Sequence, residues 1–413
     1  MAEAIAKPPN LTKKFQDFLS KFNPTLPAAA ELRVDLRPDL ARRIAARAIL
    51  EQGSQQVVVG GVGSGKTTEL LAAKEAMEAD VQKCMFLDIS RYTDLESIKA
   101  GAILAVLGEG LRELIEYERD NVPEYQVRAF GLSLALEAAE TFAHGLNPVD
   151  DESNFRHNYE SFVESWAPSR YRPTPKLSPG KLSQPLPNLQ RDVAASRNWL
   201  GILLYEVSDR QQSRVVVALD GLDRLRDLDA FWTLVDQDLR ILRELKVSVV
   251  IVAPLLAYFT PGRDLEDRFD KTHALWSLPQ ESPALLDLLK RRDQDTLTAA
   301  SAAEIVRYSG GVLRDLVSLA RDAGEEAYLR GSPQIEQLHV DYAVQQLGLS
   351  YRRGLGSAQL KELRGIHDGG GFDLRKVEHR ELLATRRLIE YSSQEFVIHP
   401  ALMKELVLHD WSD

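Results

Sequence analysis

Cysteine is almost missing from this chain: Cys84 is the only one in 413 residues. No internal disulfide can form, and the composition suits a reducing, cytoplasmic setting. Cys84 lies in an apolar run, where a buried core thiol is expected rather than a nucleophile. A long hydrophobic run is missing too. The longest nearly unbroken one, Val247 to Phe259, falls short of the ~18 residues that cross a bilayer. The N-terminal MAEAIAKPPN has no apolar stretch of the secretory kind. A soluble cytoplasmic protein with no membrane partner is expected. An excess of basic charge is also lacking. With 51 Lys and Arg against 61 Asp and Glu, the net charge is −10. That argues against wholesale coating of nucleic acid and leaves room only for a local basic patch. The eight histidines are scattered, with no HExxH or CxxC spacing, so no structural metal site is expected. No internal repeat of solenoid period is present.

What is there is ordinary globular material, 44% hydrophobic and 27% charged. At roughly 150 residues per domain the length predicts two or three domains. Residues 1–50 read as an N-terminal helical segment with a Pro-punctuated join from Pro24 to Pro38. Short β-branched runs at Gln56–Val59, Lys83–Ile89, Arg214–Leu219 and Val247–Val252 alternate with helical patterns. Continuous Val/Ile runs between helices predict a parallel sheet covered on both faces, an α/β core over 51–280. Within it, about 110–190 reads as an insertion that is helical and then Pro-rich. Ala167 to Gln190 holds six prolines, four basic residues and no acid, and reads as an extended loop. From Pro283 the pattern is almost wholly helical through 281–348, in segments over 283–292, 298–308, 311–330 and 335–347. A last unit, 349–413, has two helical patterns, near 357–367 and 378–388, a strand or hairpin over Glu390–His399 and a short final helix, which suggests a winged helix.

Two motifs carry chemistry. Gly60-Gly61-Val62-Gly63-Ser64-Gly65-Lys66-Thr67 satisfies G-x-x-x-x-G-K-[ST], the P-loop pattern, between a predicted strand and a predicted helix. The glycines let the backbone curl so that successive N–H groups can face phosphate oxygens, and the positive end of the next helix adds to that field. In this pattern Lys66 reaches the β- and γ-phosphates, the Thr67 hydroxyl ligates Mg²⁺, and Thr68 supports the α-phosphate. The second motif is Val215-Val216-Val217-Ala218-Leu219-Asp220-Gly221-Leu222-Asp223. An apolar strand ending in an acid puts Asp220 at the C-terminal edge of the sheet, where it can hold Mg²⁺ through its water shell. ATP and Mg²⁺ are the expected cofactors.

These motifs resemble the AAA+ and STAND branches of the P-loop ATPases. The ending Asp220-Gly221-Leu222-Asp223 is similar to the NACHT-type form of the second motif. Asp267-Arg268-Phe269 resembles the place where AAA+ proteins carry an arginine finger, with Arg263 a rival. Ser309-Gly310-Gly311-Val312-Leu313-Arg314-Asp315-Leu316 resembles the sensor-2 helix of their lid, in which Arg314 faces the γ-phosphate. The stretch Val397-Ile398-His399-Pro400 resembles the winged helix that follows the lid in initiator-type and STAND ATPases. The resemblance implies a P-loop core, a helical lid over 281–348, a winged-helix-like domain over 349–413 and homo-oligomerisation. Two departures bear on turnover. Gly221 stands where AAA+ enzymes usually have the water-activating glutamate, leaving Asp223 as the nearby candidate base. The next strand ends Val252-Ala253-Pro254, without the polar sensor-1 residue. Slow hydrolysis is expected.

The resemblance leaves several functions open. One is an oligomerising ATPase switch that needs an effector or sensor protein partner, as in anti-phage defence. Another is a DNA-acting initiator, loader or transposition helper, and a third is a scaffold that binds nucleotide without turnover. Arg170, Arg172, Lys176 and Lys181, with Trp166 and Tyr171, form a basic and aromatic segment that could track a nucleic-acid backbone, or be a solvated linker. The winged-helix candidate carries Arg375, Lys376, Arg380, Arg386 and Arg387, yet its acids match its bases. A docking role for protein is therefore at least as well supported as duplex binding.

Overall fold

β-branched residues fit a pleated surface, and where both faces are covered they need no polar alternation. Three strands follow that rule with every residue buried: β1 (Gln55–Val59), β3 (Val215–Asp220) and β4 (Ser248–Ala253). β2 (Lys83–Asp88) is less buried, and β5 (Lys271–Ala274) is a short polar strand. Together they form one sheet in the order β2-β3-β4-β1-β5. The pairs β2–β3, β3–β4 and β4–β1 are all parallel, so the expected α/β parallel sheet is present. The register pairs Asp88 with Asp220, Leu219 with Ile251 and Val59 with Ala253. Two carboxylates and the end of β1 thereby lie on the same C-terminal edge.

This computed structural model describes residues 9–25, 29–80, 83–121, 127, 129–144, 186–208, 215–409 and 411. Trp166, Arg170, Tyr171, Arg172, Lys176 and Lys181 lie outside them. The chain divides into two compact units. The first, 39–59 and 69–273, holds most of the sheet with its helices. The second, 1–38, 60–68 and 274–413, is mainly helical and includes the Gly60–Thr68 loop. Among the described residues no helix is long and apolar enough to cross a membrane.

In the sheet unit, helices Ala102–Asn121, Leu132–His144, Ser196–Val207 and Leu228–Glu244 supply the covering layers. One buried acid organises them. Asp238 accepts hydrogen bonds from the backbone N–H groups of Gly101 (2.7 Å) and Ile103 (2.9 Å). It thus satisfies the open N-terminus of the helix Ala102–Asn121 from inside the core. Burial pushes its carboxyl up to about 7, against the pull of those N–H donors and of the Arg191 charge. Arg191 in turn gathers the carbonyls of Phe142, Ala143 and Pro187 at 2.7–2.8 Å. This fixes the described end of the Pro-rich stretch.

In the helical unit, the amphipathic N-terminal helix Pro9–Lys21 turns Phe15 and Phe18 inward. They join Phe22 in a core shared with the helices Pro283–Arg292, Ala299–Ser309, Leu313–Leu329 and Gln337–Arg352. Phe18 and Phe22 stack at 4.5 Å. Each buried phenylalanine is worth about 1.5–3 kcal/mol of transfer free energy. A Cβ on Gly324 would stand 2.6 Å from the Phe18 ring, so the close approach needs that glycine. Residues 349–413 carry helices Ser357–His367 and Val377–Ala384, the antiparallel hairpin of β6 (Leu388–Glu390) and β7 (Phe396–Ile398), and a last helix Pro400–Leu408. The sequence reads helix over 378–388, but the helix stops at Ala384. Arg386 takes a left-handed φ of 60°, which breaks the helix, and the three residues after Arg387 are buried as strand.

Candidate functional site

The loop Gly60–Gly65 joins β1 to the helix Lys66–Ala79, as the strand–loop–helix reading requires. Gly63 and Gly65 have φ of +88° and +97°, values that favour glycine. They also face a close neighbour. A Cβ on Gly63 would lie 2.8 Å from Arg314 Cβ, and one on Gly65 would lie 2.9 Å from Leu313 Cδ1. The Arg314 N–H donates to the Gly63 carbonyl at 3.3 Å. The start of the helix Leu313–Leu329 thus sits on the loop.

Lys66 is buried, and its ammonium donates to the carbonyls of Gly60 and Gly61, both at 2.8 Å. The cation lies back over the curl of the loop. Ser64 Oγ is buried within the same loop and has no hydrogen-bond partner among the described residues. A buried hydroxyl without a partner is costly, and an incoming oxygen acceptor would satisfy it. Thr67 and Thr68 are half-buried in the first helical turn.

Further groups converge on the loop within this unit. Glu390, on β6, is 3% exposed, and its Oε1 accepts the Gly61 N–H at 2.8 Å. Burial raises the Glu390 carboxyl, a push only partly offset by hydrogen bonding and by the charges of Lys66 and Arg386. Arg386 Nη1 stands 3.4 Å from where a Gly63 Cβ would be and donates to Asp315 Oδ1 at 2.9 Å. Buried Asp315 also accepts from Tyr351 Oη at 2.5 Å and His399 Nε2 at 3.2 Å. His399 Nδ1 accepts the Ala401 N–H, which leaves Nε2 as the protonated, donating nitrogen. Arg37 donates to the Trp276 carbonyl at 2.8 Å, and its other terminal nitrogen lies 3.8 Å from a Gly65 Cβ position. The Arg314 side chain itself is exposed.

In the sheet unit, Asp220 closes β3, is buried, and accepts the N–H of Gly221 at 2.8 Å. Gly221 has φ +90°, and a Cβ there would meet Asp88 Oδ1 at 2.5 Å. Asp223 is half-buried in the 3-10 turn Leu222–Arg224. Asp88 accepts from the Ser90 hydroxyl at 2.6 Å. Arg268 ends the short helix Leu265–Arg268 and pairs with Asp236 at 3.0 Å, both about half exposed. Arg263 pairs with Asp229 at 3.2 Å. Exposed pairs of this kind are worth about 0–1 kcal/mol, so either arginine can leave its acid at little cost.

Of the sequence candidates, Gly60, Gly61, Val62, Gly63, Ser64, Gly65, Lys66, Thr67, Thr68 and Arg314 belong to one unit; Asp220, Asp223 and Arg268 belong to the other. Sequence reasoning missed Asp88, Arg37, Arg386 and Glu390. Only Asp88 left a signal, because Leu87-Asp88 ends its strand as Leu219-Asp220 ends the next.

No family model matches the chain, and no curated protein matches it. Solved structures with a similar course include Drosophila ORC bound to DNA, at TM-score 0.44 and 13% identity, over 94% of this chain and 80% of that one. The Thermotoga maritima RuvB Holliday junction branch migration motor gives 0.40 and 12%, over 91% and 98%. Aeropyrum pernix ORC1 in complex with DNA gives 0.40 and 16%, over 96% and 97%. Likenesses this loose leave the function to the chain's own residues.

Proposed function

We propose that the chain binds ATP with Mg²⁺ at Gly60–Thr68 and hydrolyses it slowly, as an oligomeric, nucleotide-controlled switch of the AAA+/STAND kind. The observation that carries this reading is the loop itself. Two left-handed glycines bend it between strand and helix, and Lys66 is folded over it onto two carbonyls. That is the shape and charge a polyphosphate needs. Lys66 contacts the phosphates, Thr67 and Asp220 hold Mg²⁺, Asp223 orients the attacking water, and Arg268 serves a neighbouring subunit. Arg314 reports the nucleotide to a helical lid, 281–348, and to a winged-helix-like domain, 349–413. An effector or sensor protein reads the switch, as in a multi-protein anti-phage system.

The test is ATP titration with and without Mg²⁺, of the wild type against Lys66→Ala, followed by turnover with and without duplex DNA. Nucleotide binding that depends on Lys66 supports the reading, and equal affinity in both proteins rejects it. Strong stimulation by DNA would move the function to a DNA-acting initiator or loader.

A further inference from the structure

The phosphate loop already holds an acidic group supplied by the chain itself. Glu390 reaches Gly61 from β6, and that strand is firmly seated. The Glu390 carbonyl accepts the Ser277 N–H at 3.0 Å, and Tyr391 Oη donates to the Gly310 carbonyl at 3.0 Å. The carboxylate is nearly sealed from solvent and feels the charges of both Lys66 and Arg386. Arg386 is itself drawn in by buried Asp315.

A polyphosphate bound over this loop would bring two or more further negative charges to the same cations. In a site closed to water such repulsion is weakly screened. The N–H of Gly61 and the field of Lys66 cannot serve both anions equally well. We propose that Glu390 is a latch: with the β6–β7 hairpin docked it holds Gly61 and opposes phosphate, and nucleotide entry drives the hairpin off the loop. This regulation rests on the reading of the loop as a nucleotide site. Coupling is reciprocal, so whatever holds the hairpin down lowers nucleotide affinity, and nucleotide loosens the hairpin by the same factor. The C-terminal unit is thereby tied to the nucleotide state through one side chain.

The test uses the full chain. Glu390→Gln keeps an oxygen to accept the Gly61 N–H and removes the charge. Gly61→Ala leaves Glu390 intact, but its methyl would clash with Glu390 Oε1 and press on Cδ and Oε2 at 3.0 Å, forcing the carboxylate off the loop. The loop pattern leaves that position open to any residue. Folding of both is checked by circular dichroism. ATP affinity is measured by titration, and exposure of 388–398 by amide hydrogen exchange with and without ATP. Both variants are expected to bind ATP about 5–150-fold more tightly, the span of ordinary two-site coupling. In the wild type, ATP is expected to speed exchange in the hairpin. Unchanged affinity in the variants, with the wild type binding normally, overturns the latch and leaves the nucleotide site standing. Unchanged exchange overturns release of the hairpin. Normal affinity with lost turnover in Glu390→Gln overturns the latch by giving Glu390 a role in hydrolysis. Absence of binding in all three proteins rejects the nucleotide site and the latch with it.

Discussion

Asp315 is a buried side chain of the helical unit with three hydrogen-bond donors on it, and replacing it with asparagine measures that commitment. The residue is 3% exposed and receives three donors, from Tyr351, Arg386 and His399. Asparagine keeps the shape but loses the charge, and its amide group must face one of those donors. Breaking a fully buried pair costs about 3–5 kcal/mol. Arg386 retains 23% side-chain exposure, so water recovers part of its solvation. A loss near 3 kcal/mol, roughly one charge-assisted bond plus one poorly satisfied donor, is expected. At about 2–4 °C per kcal/mol for a unit of this size, the melting transition of the helical unit should fall by about 6–12 °C.

The pH dependence gives a second check. Burial pushes the Asp315 carboxyl up, but the His399 hydrogen bond and the charge of Arg386 more than offset it and hold it below the ordinary value of 3.8. A depressed carboxyl contributes stability that is fully present above the unfolded value and is lost as pH falls through the folded one. The gap between wild type and Asp315→Asn should therefore be constant from neutral pH down to about 5 and shrink only below about 4. Thermal unfolding followed by circular dichroism at several pH values measures both effects. Equal melting temperatures at neutral pH would refute the reasoning, because the three donors would then be satisfied as well by a neutral amide.

Lys66→Ala should weaken ATP binding by roughly 100-fold or more, since two charge-assisted bonds at about 1.5–3 kcal/mol each are lost; calorimetric titration of the folded variant decides. Asp220→Ala should eliminate Mg²⁺-dependent turnover, whereas Asp223→Asn should slow it with little change in ATP affinity; phosphate-release assays beside binding curves separate the two. Asp238 titrates in the opposite sense to Asp315. Its folded carboxyl is raised to about 7, so the folded state holds the proton longer and wild-type stability should fall as pH rises from about 4 to 7. Melting curves of Asp238→Asn should lack that slope. If Arg268 serves a neighbouring subunit, turnover should rise with protein concentration, and mixing Arg268→Ala with Lys66→Ala should restore part of the activity. No rescue, together with concentration-independent turnover, would leave Arg268 as the surface partner of Asp236.

The sheet and its loop were legible because their signals are local. Gln56–Val59 lies within β1 (Gln55–Val59), and Pro283–Arg292 is helical over the predicted span. Buried β-branched runs and helical periodicity need no knowledge of distant partners. The strand order β2-β3-β4-β1-β5 could not be read, since nothing in a Val/Ile run names its neighbour. β5 was hidden because Lys271-Thr272-His273-Ala274 lacks the apolar pattern of a strand. The surroundings of the loop were hidden for the same reason as the strand order. Glu390 lies 329 positions from Gly61, and Arg386 lies 71 from Asp315. Tertiary packing alone turns an acid and an arginine of average appearance into loop residues.

Gly221 shows the opposite case, a local departure from a motif that packing explains. The sequence puts glycine where a water-activating glutamate is usual in the families it resembles. In the structure that residue has a left-handed φ and lies so close to Asp88 and the Ser90 N–H that even a Cβ would crowd them. A glutamate there would be strained in its backbone and would set a third carboxylate against Asp88 and Asp220, which already sit side by side in register. Like charges so placed repel one another. This edge of the sheet is therefore packed too tightly between two strand ends to take a side chain at position 221. Asp223, one turn further on, is the acid that the proposed function assigns to orienting water. It lies in the turn Leu222–Arg224 rather than directly after Asp220. On that proposal, a base displaced in this way is expected to lower the rate of the chemical step without lowering affinity for nucleotide. Slow turnover with retained binding is the behaviour that a switch requires, because the bound state must outlast the change it signals.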